Sequence, residues 1–202
     1  MNKLSMILAL VAALGGSGAA FGAALGLTPS SQIAANGDQV TLDLLATGLG
    51  DGVSPAVGAF DVDVLYDPAV LGFNSYTIGS DLGLAFDFSL GALLSGPIDL
   101  AASSLENPAD LIATQAANVL LASVIFDVLD LSLGASTIVQ VDANDPLLLL
   151  GDENGASLPI TDVTSATIRN EIDSVPAPGT ALLFVLGVIM LGFVFRTDQP
   201  MR

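Results

Sequence analysis

The sequence predicts an all-β sandwich between an N-terminal signal peptide and a C-terminal transmembrane helix. Three observations support this prediction: two apolar runs near the chain ends, strict alternation of apolar and acidic residues in the middle, and short β-rich runs separated by Gly, Asn and Asp. Residues 1–24 are assigned to the signal peptide, 25–174 to the sandwich and 175–202 to the C-terminal segment. A chain of 202 residues is expected to hold one such domain.

The first 24 residues have the three parts of a secretory signal peptide. Lys3 supplies a positive charge, residues 4–14 form a short apolar run, and small residues follow as far as Ala24. Small residues at the −3 and −1 positions predict cleavage near residues 22–24. Because the apolar run is shorter than the ~20 residues of a spanning helix, export is favoured over an uncleaved membrane anchor.

A second apolar run, residues 181–195, lies near the C-terminus. A helix over about 180–195, extended by the residues before it, is long enough to cross a bilayer with little tilt. Arg196 and Arg202 follow the run, whereas acidic residues precede it. This asymmetry predicts a cytoplasmic C-terminus and an external middle segment.

A short motif flanks this predicted helix: Val175, Pro176, Ala177, Pro178 and, beyond the helix, Arg196. The motif resembles the PEP-CTERM sorting signal of exported bacterial proteins, in which Pro-Glu-Pro precedes a hydrophobic helix and a basic cluster. Ala177 stands where that family has Glu, and the basic cluster is reduced to Arg196 and Arg202. The resemblance implies sorting by the membrane enzyme exosortase, with an ordinary membrane anchor as the alternative.

The composition excludes several classes of function. The chain has no Cys, His or Trp, which removes disulfides, thiolate nucleophiles, and histidine bases and metal ligands. A net charge of −17 excludes a nucleic acid partner. Residues 25–175 hold 20 acidic residues and one basic residue, Arg169, so the exported part carries −19 (one positive charge against 20 negative). Such a domain stays soluble and repels anionic surfaces.

The clearest predicted strand runs from Phe60 to Tyr66. Its two faces are Phe60, Val62, Val64 and Tyr66 on one side, and Asp61, Asp63 and Asp67 on the other. A period of two is typical of a half-buried strand. Further strands are predicted at 40–45, 70–73, 76–78, 119–127, 136–141, 158–160 and 164–171, with one helix at 105–117. Short strands at this spacing predict a sandwich.

Three segments resemble the cohesin domain. Residues 58–73 carry a Gly-aromatic-x-hydrophobic strand, a Tyr-Asp-Pro-x-x-Leu turn and a following strand. Residues 119–128 are similar to the family's later Leu-Ala-x-hydrophobic-x-Phe strand, and residues 134–138 to its Gly-Thr/Ser element. The resemblance spans most of 35–172 and implies a nine-stranded jelly-roll sandwich related to carbohydrate-binding modules. Cohesins bind dockerins across one sheet face, and an unrelated exported β-sandwich is the alternative.

Two kinds of chemistry need separate consideration. Asp61 and Asp63 lie ~7 Å apart on one strand face, a spacing that a glycosidase could use. However, the chain has no Trp to support a sugar, and the sequence shows no neighbour that would raise either pKa. We therefore predict a solvated strand face and no enzyme. Sugar binding without catalysis would need Tyr76 aligned with Phe73 or Phe86 on an exposed face, because sugars stack on flat aromatic rings.

Calcium is the one metal that the sequence suggests. Asp142, Asn144, Asp145 and Asp152 lie in two oxygen-rich loops, although the spacing of an EF-hand loop is absent. The four residues are a candidate calcium site if the loops meet, and turn residues if they do not. No other cofactor is predicted.

We therefore expect an exported, non-enzymatic cohesin-like binding or adhesion module of the bacterial envelope or extracellular matrix, held by its C-terminal helix in the membrane at least transiently. Its partner is expected to be an extracellular protein. The alternative is a carbohydrate-binding module acting on exopolysaccharide.

Overall fold

The computed structural model describes residues 22–93 and 96–171. The sorting motif, the 180–195 helix and residues 1–21 of the predicted signal peptide lie outside these residues. Within the part of the chain that is described, no helix is long and apolar enough to cross a membrane.

The described residues form a sandwich of two β-sheets. The thirteen strands found there are β1 (Ala23–Thr28), β2 (Ser31–Ile33), β3 (Gln39–Thr47), β4 (Val57–Leu65), β5 (Leu71–Ile78), β6 (Ala85–Asp87), β7 (Gly91–Ala92), β8 (Ile98–Ser104), β9 (Asn118–Val128), β10 (Ser136–Val141), β11 (Leu149–Asp152), β12 (Ile160–Thr164) and β13 (Ala166–Arg169). A 3-10 turn covers Ser80–Leu82, and helix α1 covers Pro108–Thr114.

One sheet has five strands in the order β12-β1-β3-β9-β5. The other has eight, in the order β2-β13-β10-β4-β8-β6, with β11 also paired to β4 and β7 to β8. Most neighbours are antiparallel, but β1 runs parallel to β12 and β2 runs parallel to β13. These parallel pairs join the N-terminal strands to the last strands, so the beginning and end of the domain lie side by side in both sheets.

Strand β4 confirms the predicted alternation. Phe60, Val62 and Val64 are buried, whereas Asp61 and Asp63 are half-exposed on the opposite face. Tyr66 follows the strand and packs its ring 5.2 Å from that of Phe126, a residue of β9. The inward residues of β4 thus join the core between the sheets.

The core is formed by the inward faces of both sheets. Leu42, Val124 and Phe126 enter it from the five-stranded sheet, and Val62 and Leu100 enter it from the eight-stranded sheet; all five are fully buried. Because every central strand alternates, each sheet keeps its polar side chains on its outer face.

The predicted helix at 105–117 is confirmed in its middle part, α1. Asn107 caps this helix by accepting a hydrogen bond from the Asp110 N–H, and Pro108 occupies the first turn, where a missing N–H costs nothing. Gln115 follows the helix and is buried. Its side-chain amide bonds both the N–H and the carbonyl of Val57, which anchors the start of β4.

Several predicted strand limits were wrong. The separate strands at 70–73 and 76–78 are one strand, β5, interrupted by a register shift between Phe73 and Ser75. The strand predicted at 158–160 begins only at Ile160, because Pro159 has no N–H to donate to a neighbouring strand. Six strands, β1, β2, β6, β7, β8 and β11, were not predicted. Strand β1 begins at Ala23, within the range assigned to the signal peptide.

Candidate interaction surface

The outer face of the eight-stranded sheet gathers carboxylates from two strands and a loop. Asp63 of β4 lies directly opposite Asp99 of β8. The Asp142 N–H donates a 2.8 Å hydrogen bond to the Asp63 carbonyl, which brings the β10–β11 loop to the same place. Side chains at directly opposite positions have Cβ atoms only ~5 Å apart. We call Asp61, Asp63, Asp99, Asp142 and Asp145 the acidic cluster.

The protonation of Asp63 shows how crowded this cluster is. Burial, followed by repulsion from Asp145, Asp99, Asp61 and Asp142, raises the pKa of Asp63 to about 6. Burial and the charges of Asp99 and Asp145 also raise the pKa of Asp61 above its ordinary value. The sequence showed no neighbour that could do this, because Asp99 and Asp145 are distant in the chain. The two central carboxylates are thus held near one another at a cost in free energy.

Basic residues do not compensate this charge. In residues 22–93 and 96–171, Arg169 is the one basic residue, and it lies on β13, two strands away from β4 in the sheet. Its guanidinium donates a 2.6 Å hydrogen bond to the Ser31 hydroxyl. The acidic cluster therefore has no cationic side chain of its own domain beside it.

Exposed apolar side chains border the acidic cluster on both sides. Phe86, on the edge strand β6, lies opposite Ser103 of β8. The Phe88 N–H donates a hydrogen bond to the Ala101 carbonyl, also in β8. Phe86 and Phe88 are 54% and 57% exposed, and their ring centroids lie 4.6 Å apart. On the other side of β4, Leu149 lies opposite Asp61.

The resulting surface has a simple layout. One row across the sheet reads Phe88, Ala101, Asp61 and Leu149, which places a carboxylate between two apolar side chains. Ile138 adds a further exposed apolar side chain on β10. We call this surface the acidic–aromatic face; its residues are Asp61, Asp63, Phe86, Phe88, Asp99, Ile138 and Leu149.

The outer face of the five-stranded sheet is different. Asp127 accepts 2.9 Å hydrogen bonds from the side-chain amides of Asn74 and Gln39, and these bonds lower its pKa. The Ser123 hydroxyl donates to Asp43 on the neighbouring strand. We call this surface, comprising Gln39, Thr41, Asp43, Asn74, Ser123 and Asp127, the polar face.

The geometry of Asp61 and Asp63 bears on the glycosidase hypothesis. A pKa near 6 suits a general acid, and two carboxylates are near each other. They project from the same face of one strand, however, whereas glycosidase carboxylates flank the scissile bond from two sides. The arrangement therefore gives no support to that reaction.

A separate depression of about 380 Å³ is lined by Asp81, Glu106 and Asp110. The Leu120 N–H donates to Asp81, and the Leu84 N–H donates to Glu106. These two carboxylates therefore tie the 3-10 turn and the segment before β6 to the rest of the sandwich.

The four residues suggested for calcium do not converge. Asp142 lies beside Asp63 at one end of β4, whereas Asp152 pairs with Val57 at the other end, six residues or ~20 Å away. Asp142, Asp145 and Asp152 instead accept backbone hydrogen bonds from Asn144, Leu147 and Asn154, which close local turns. The described residues contain no group of three or more acidic side chains arranged to hold a metal ion.

The aromatic residues considered for sugar binding are divided between two environments. Phe73 and Tyr76 are half-buried against the core, and the Tyr76 hydroxyl donates to Asp87. Asp87 and Phe86 are consecutive residues of β6 and point to opposite faces. Tyr76 therefore does not align with Phe86 on one exposed surface.

Sequence reasoning missed Asp99, Phe88 and Leu149 as surface residues. The signal for Asp99 was present, because Ile98, Leu100 and Ala102 alternate with polar or small residues along β8. Phe88 and Leu149 lie in or beside very short strands, where periodicity is too brief to detect.

No family model matches the chain, and no curated protein matches it by sequence. Solved structures of cohesins do match its fold. The sixth cohesin of Acetivibrio cellulolyticus scaffoldin B, solved in complex with a dockerin, is 14% identical with a TM-score of 0.57, and the match covers 74% of this chain and 99% of that cohesin. A non-cellulosomal cohesin from Archaeoglobus fulgidus is 15% identical with a TM-score of 0.54, covering 77% and 95%.

A cohesin module from a Clostridium perfringens family 33 glycoside hydrolase is 16% identical, with a TM-score of 0.54 and coverage of 75% and 97%. Nearly the whole length of each of these modules is thus matched. The sandwich of this chain has the cohesin fold, which confirms the all-β sandwich that the resemblance implied. The number of strands differs, because the described residues form thirteen strands and not nine.

Proposed function

We propose that the β-sandwich, beginning with β1 at Ala23, forms an exported, non-enzymatic binding module that docks an extracellular protein on the acidic–aromatic face. The observation that carries this proposal is the coexistence of exposed Phe86, Phe88 and Leu149 with uncompensated carboxylates on one sheet surface. Exposed aromatic side chains on a structured face are typical of protein interfaces. The fold of cohesins, one of them solved with its dockerin bound, supports a protein-binding role.

The targeting segments complete this proposal. A signal peptide cleaved just before Ala23 would leave strand β1 intact, at the beginning of the expected window. The PEP-CTERM-like segment, residues 175–202, would then hold the protein in the membrane until exosortase acts, and deliver the module to the envelope or matrix. Mass spectrometry of the mature protein from its native host tests this step. A chain that ends near Pro176 agrees with sorting, whereas an intact Arg202 contradicts cleavage.

Polysaccharide binding is the second candidate, and the exposed Phe86–Phe88 pair is the observation in its favour. Against it, the two ring planes are tilted by 44°, so they do not form a flat platform for a sugar chain. A protein surface can follow such a shape more readily, because its side chains adjust to a concave or stepped face.

Site-specific cross-linking in the native host distinguishes these candidates. A photo-reactive amino acid replaces Ala101, which lies in the centre of the acidic–aromatic face, and in a matched variant replaces Thr41 on the polar face. We expect illumination to yield a defined protein adduct at position 101 and none at position 41. Equal adducts at both positions, or adducts with polysaccharide alone, would overturn the proposal.

A further inference from the structure

The charge of the acidic–aromatic face restricts what can cover it. Two copies packed face to face would bring two acidic clusters together, and the only basic residue of residues 25–175, Arg169, could not compensate ten carboxylates of the two clusters. A two-fold contact of this kind pairs the same patch with itself. A second copy of this chain is therefore an unfavourable occupant.

A metal ion is equally unfavourable as the counter-charge. Calcium needs six to eight oxygen ligands that converge on one point. In the described range, no set of three or more acidic side chains has that arrangement. A partner that spreads its positive charge across the sheet fits the described cluster better than a single metal ion does.

We propose that the partner presents an amphipathic segment whose Lys or Arg side chains lie over Asp61, Asp63 and Asp99, and whose apolar side chains pack against Phe86, Phe88 and Leu149. This inference rests on the proposed function, and it specifies the chemistry of the partner. The row Phe88, Ala101, Asp61 and Leu149 sets an acidic position between two apolar ones. A segment with a cation between apolar side chains complements this row.

Two physical effects favour this partner. Its cations would relieve the repulsion between the carboxylates of the acidic cluster. This repulsion is present in the unbound module, so its removal makes the binding free energy more favourable. Its apolar side chains would remove Phe86 and Phe88 from water. Neither effect alone selects the segment, since a purely cationic peptide covers no apolar surface and an acidic amphipathic peptide meets like charge.

Three synthetic peptides of equal length test the inference with the mature exported protein. The first carries Lys residues flanked by Leu residues on one face of a helix. The second replaces its Lys residues with Glu, and the third replaces its Leu residues with Ser. Binding is measured by calorimetry and located by amide chemical shifts. We expect the Leu/Lys peptide to bind at least ~10-fold more tightly than either of the others, as about 1.4 kcal/mol of complementarity would give.

Variants separate the acidic–aromatic face from general attraction to a protein of net charge −19. Asp63→Asn and Phe88→Ser are expected to weaken the Leu/Lys peptide ~5–10-fold, since close charge pairs and buried aromatic side chains contribute most at interfaces. Asp43→Asn, on the polar face, removes the same charge and is expected to change affinity less than ~2-fold. Lowering the pH from 7.5 to 5 should weaken binding to the wild type more than to Asp63→Asn, because Asp63, facing Asp61, Asp99, Asp142 and Asp145, becomes protonated.

The outcomes distinguish the inference from the proposed function. Equal weakening by Asp43→Asn, or chemical shifts spread over both faces, would show general charge attraction and overturn the inference. Tight binding of the Glu peptide, or no binding of any peptide, would overturn it as well, whereas a protein cross-link at position 101 would keep the proposed function. A cross-link at position 41 alone would overturn both.

Discussion

The outer faces of the two sheets arise from strands with the same alternating pattern, but their carboxylates are in opposite electrostatic states. On the polar face, hydrogen bonds from Asn74 and Gln39 lower the pKa of Asp127. On the acidic–aromatic face, burial and surrounding carboxylates raise the pKa of Asp63 to about 6. The alternating pattern determines which side chains point outward. The residues on the neighbouring strands determine whether the charge of an outward carboxylate is stabilised.

This difference indicates which surface is complete without a partner. The polar face satisfies its carboxylates with its own amides and hydroxyls, as the Ser123–Asp43 bond also shows. The acidic–aromatic face leaves its charges opposed only by one another, next to exposed phenyl rings. A partner therefore gains more by covering the second face, because it can supply both the missing cations and the missing apolar contacts.

The largest expected effect tests whether the two sheets share one core. If they do, the sheets differ on their outer faces and not in how they are buried. Leu42→Ala in β3 and Leu100→Ala in β8 each truncate a fully buried leucine, one from each sheet. We expect both variants to lose about 3 kcal/mol of unfolding free energy, because each leaves a cavity in the shared core. Urea denaturation followed by circular dichroism measures the loss.

Leu149→Ala is the control, since this leucine is 41% exposed on the acidic–aromatic face. It should lose under about 1 kcal/mol. A loss below that value at either Leu42 or Leu100 would mean that the sheets do not share one core, and the comparison of their outer faces would no longer be between matched surfaces.

The sequence alone was sufficient to predict which side chains of β4 point outward and where the helix lies, because both depend on local pattern. The alternation of Phe60, Val62 and Val64 correctly placed Asp61 and Asp63 outside, and the helix predicted at 105–117 is present in its middle part as α1, Pro108–Thr114. Such features depend on neighbours within a few residues, so a single sequence contains the information that determines them.

The electrostatic difference between the faces was not predictable in this way. Asp63 meets Asp99, 36 residues away, only because β4 and β8 pair in one register, and a shift of one residue would turn every side chain to the other face. Likewise Asp127 obtains its amide donors from β3 and from β5. Register is a long-range property, which is why the sequence suggested a solvated strand face and no raised pKa.

The next effect, of intermediate size, is the pH dependence of the unfolding free energy that the raised pKa values on the acidic–aromatic face predict. Because the pKa values of Asp61 and Asp63 are raised above their ordinary value of 3.8, the native state binds more protons than the unfolded state between about pH 4 and pH 6. The unfolding free energy should therefore rise as the pH falls from 7 towards 4.5. We expect about 1–2 kcal/mol, after allowing for solvent screening of these half-exposed groups.

The lowered pKa of Asp127 has the opposite effect on the unfolding free energy, at lower pH. Its lowered pKa contributes stability that is present above the unfolded value near 3.8 and is lost as the pH falls further. Thermal or urea unfolding across pH 3.5–7.5 should thus show a maximum between about pH 4 and pH 5. Stability that increases steadily up to pH 7.5 would contradict the repulsion assigned to the acidic cluster.

The smallest effect is the sharpest, because it compares one substitution at equivalent positions of the two faces. Asp63→Asn and Asp43→Asn each remove one negative charge from a half-buried, outward position on a strand that lies within its sheet. Asp63→Asn should increase the unfolding free energy at pH 7 by somewhat under about 1 kcal/mol, since it removes a partly buried charge together with its repulsion from neighbouring carboxylates, both partly screened by solvent. Asp43→Asn should decrease it by about 0.5 kcal/mol, since a neutral amide oxygen accepts the Ser123 hydrogen bond less strongly than a carboxylate.

The opposite signs are the decisive result, and paired urea denaturation curves at pH 7 and pH 4.5 measure them. At pH 4.5 the advantage of Asp63→Asn should shrink, because protonation has already neutralised Asp63 in the wild type. Equal gains from both variants would instead indicate that the net charge of the domain dominates. In that case the location of a carboxylate on one face or the other would have no bearing on stability, and the raised pKa of Asp63 would no longer identify the acidic–aromatic face as the surface that a partner completes.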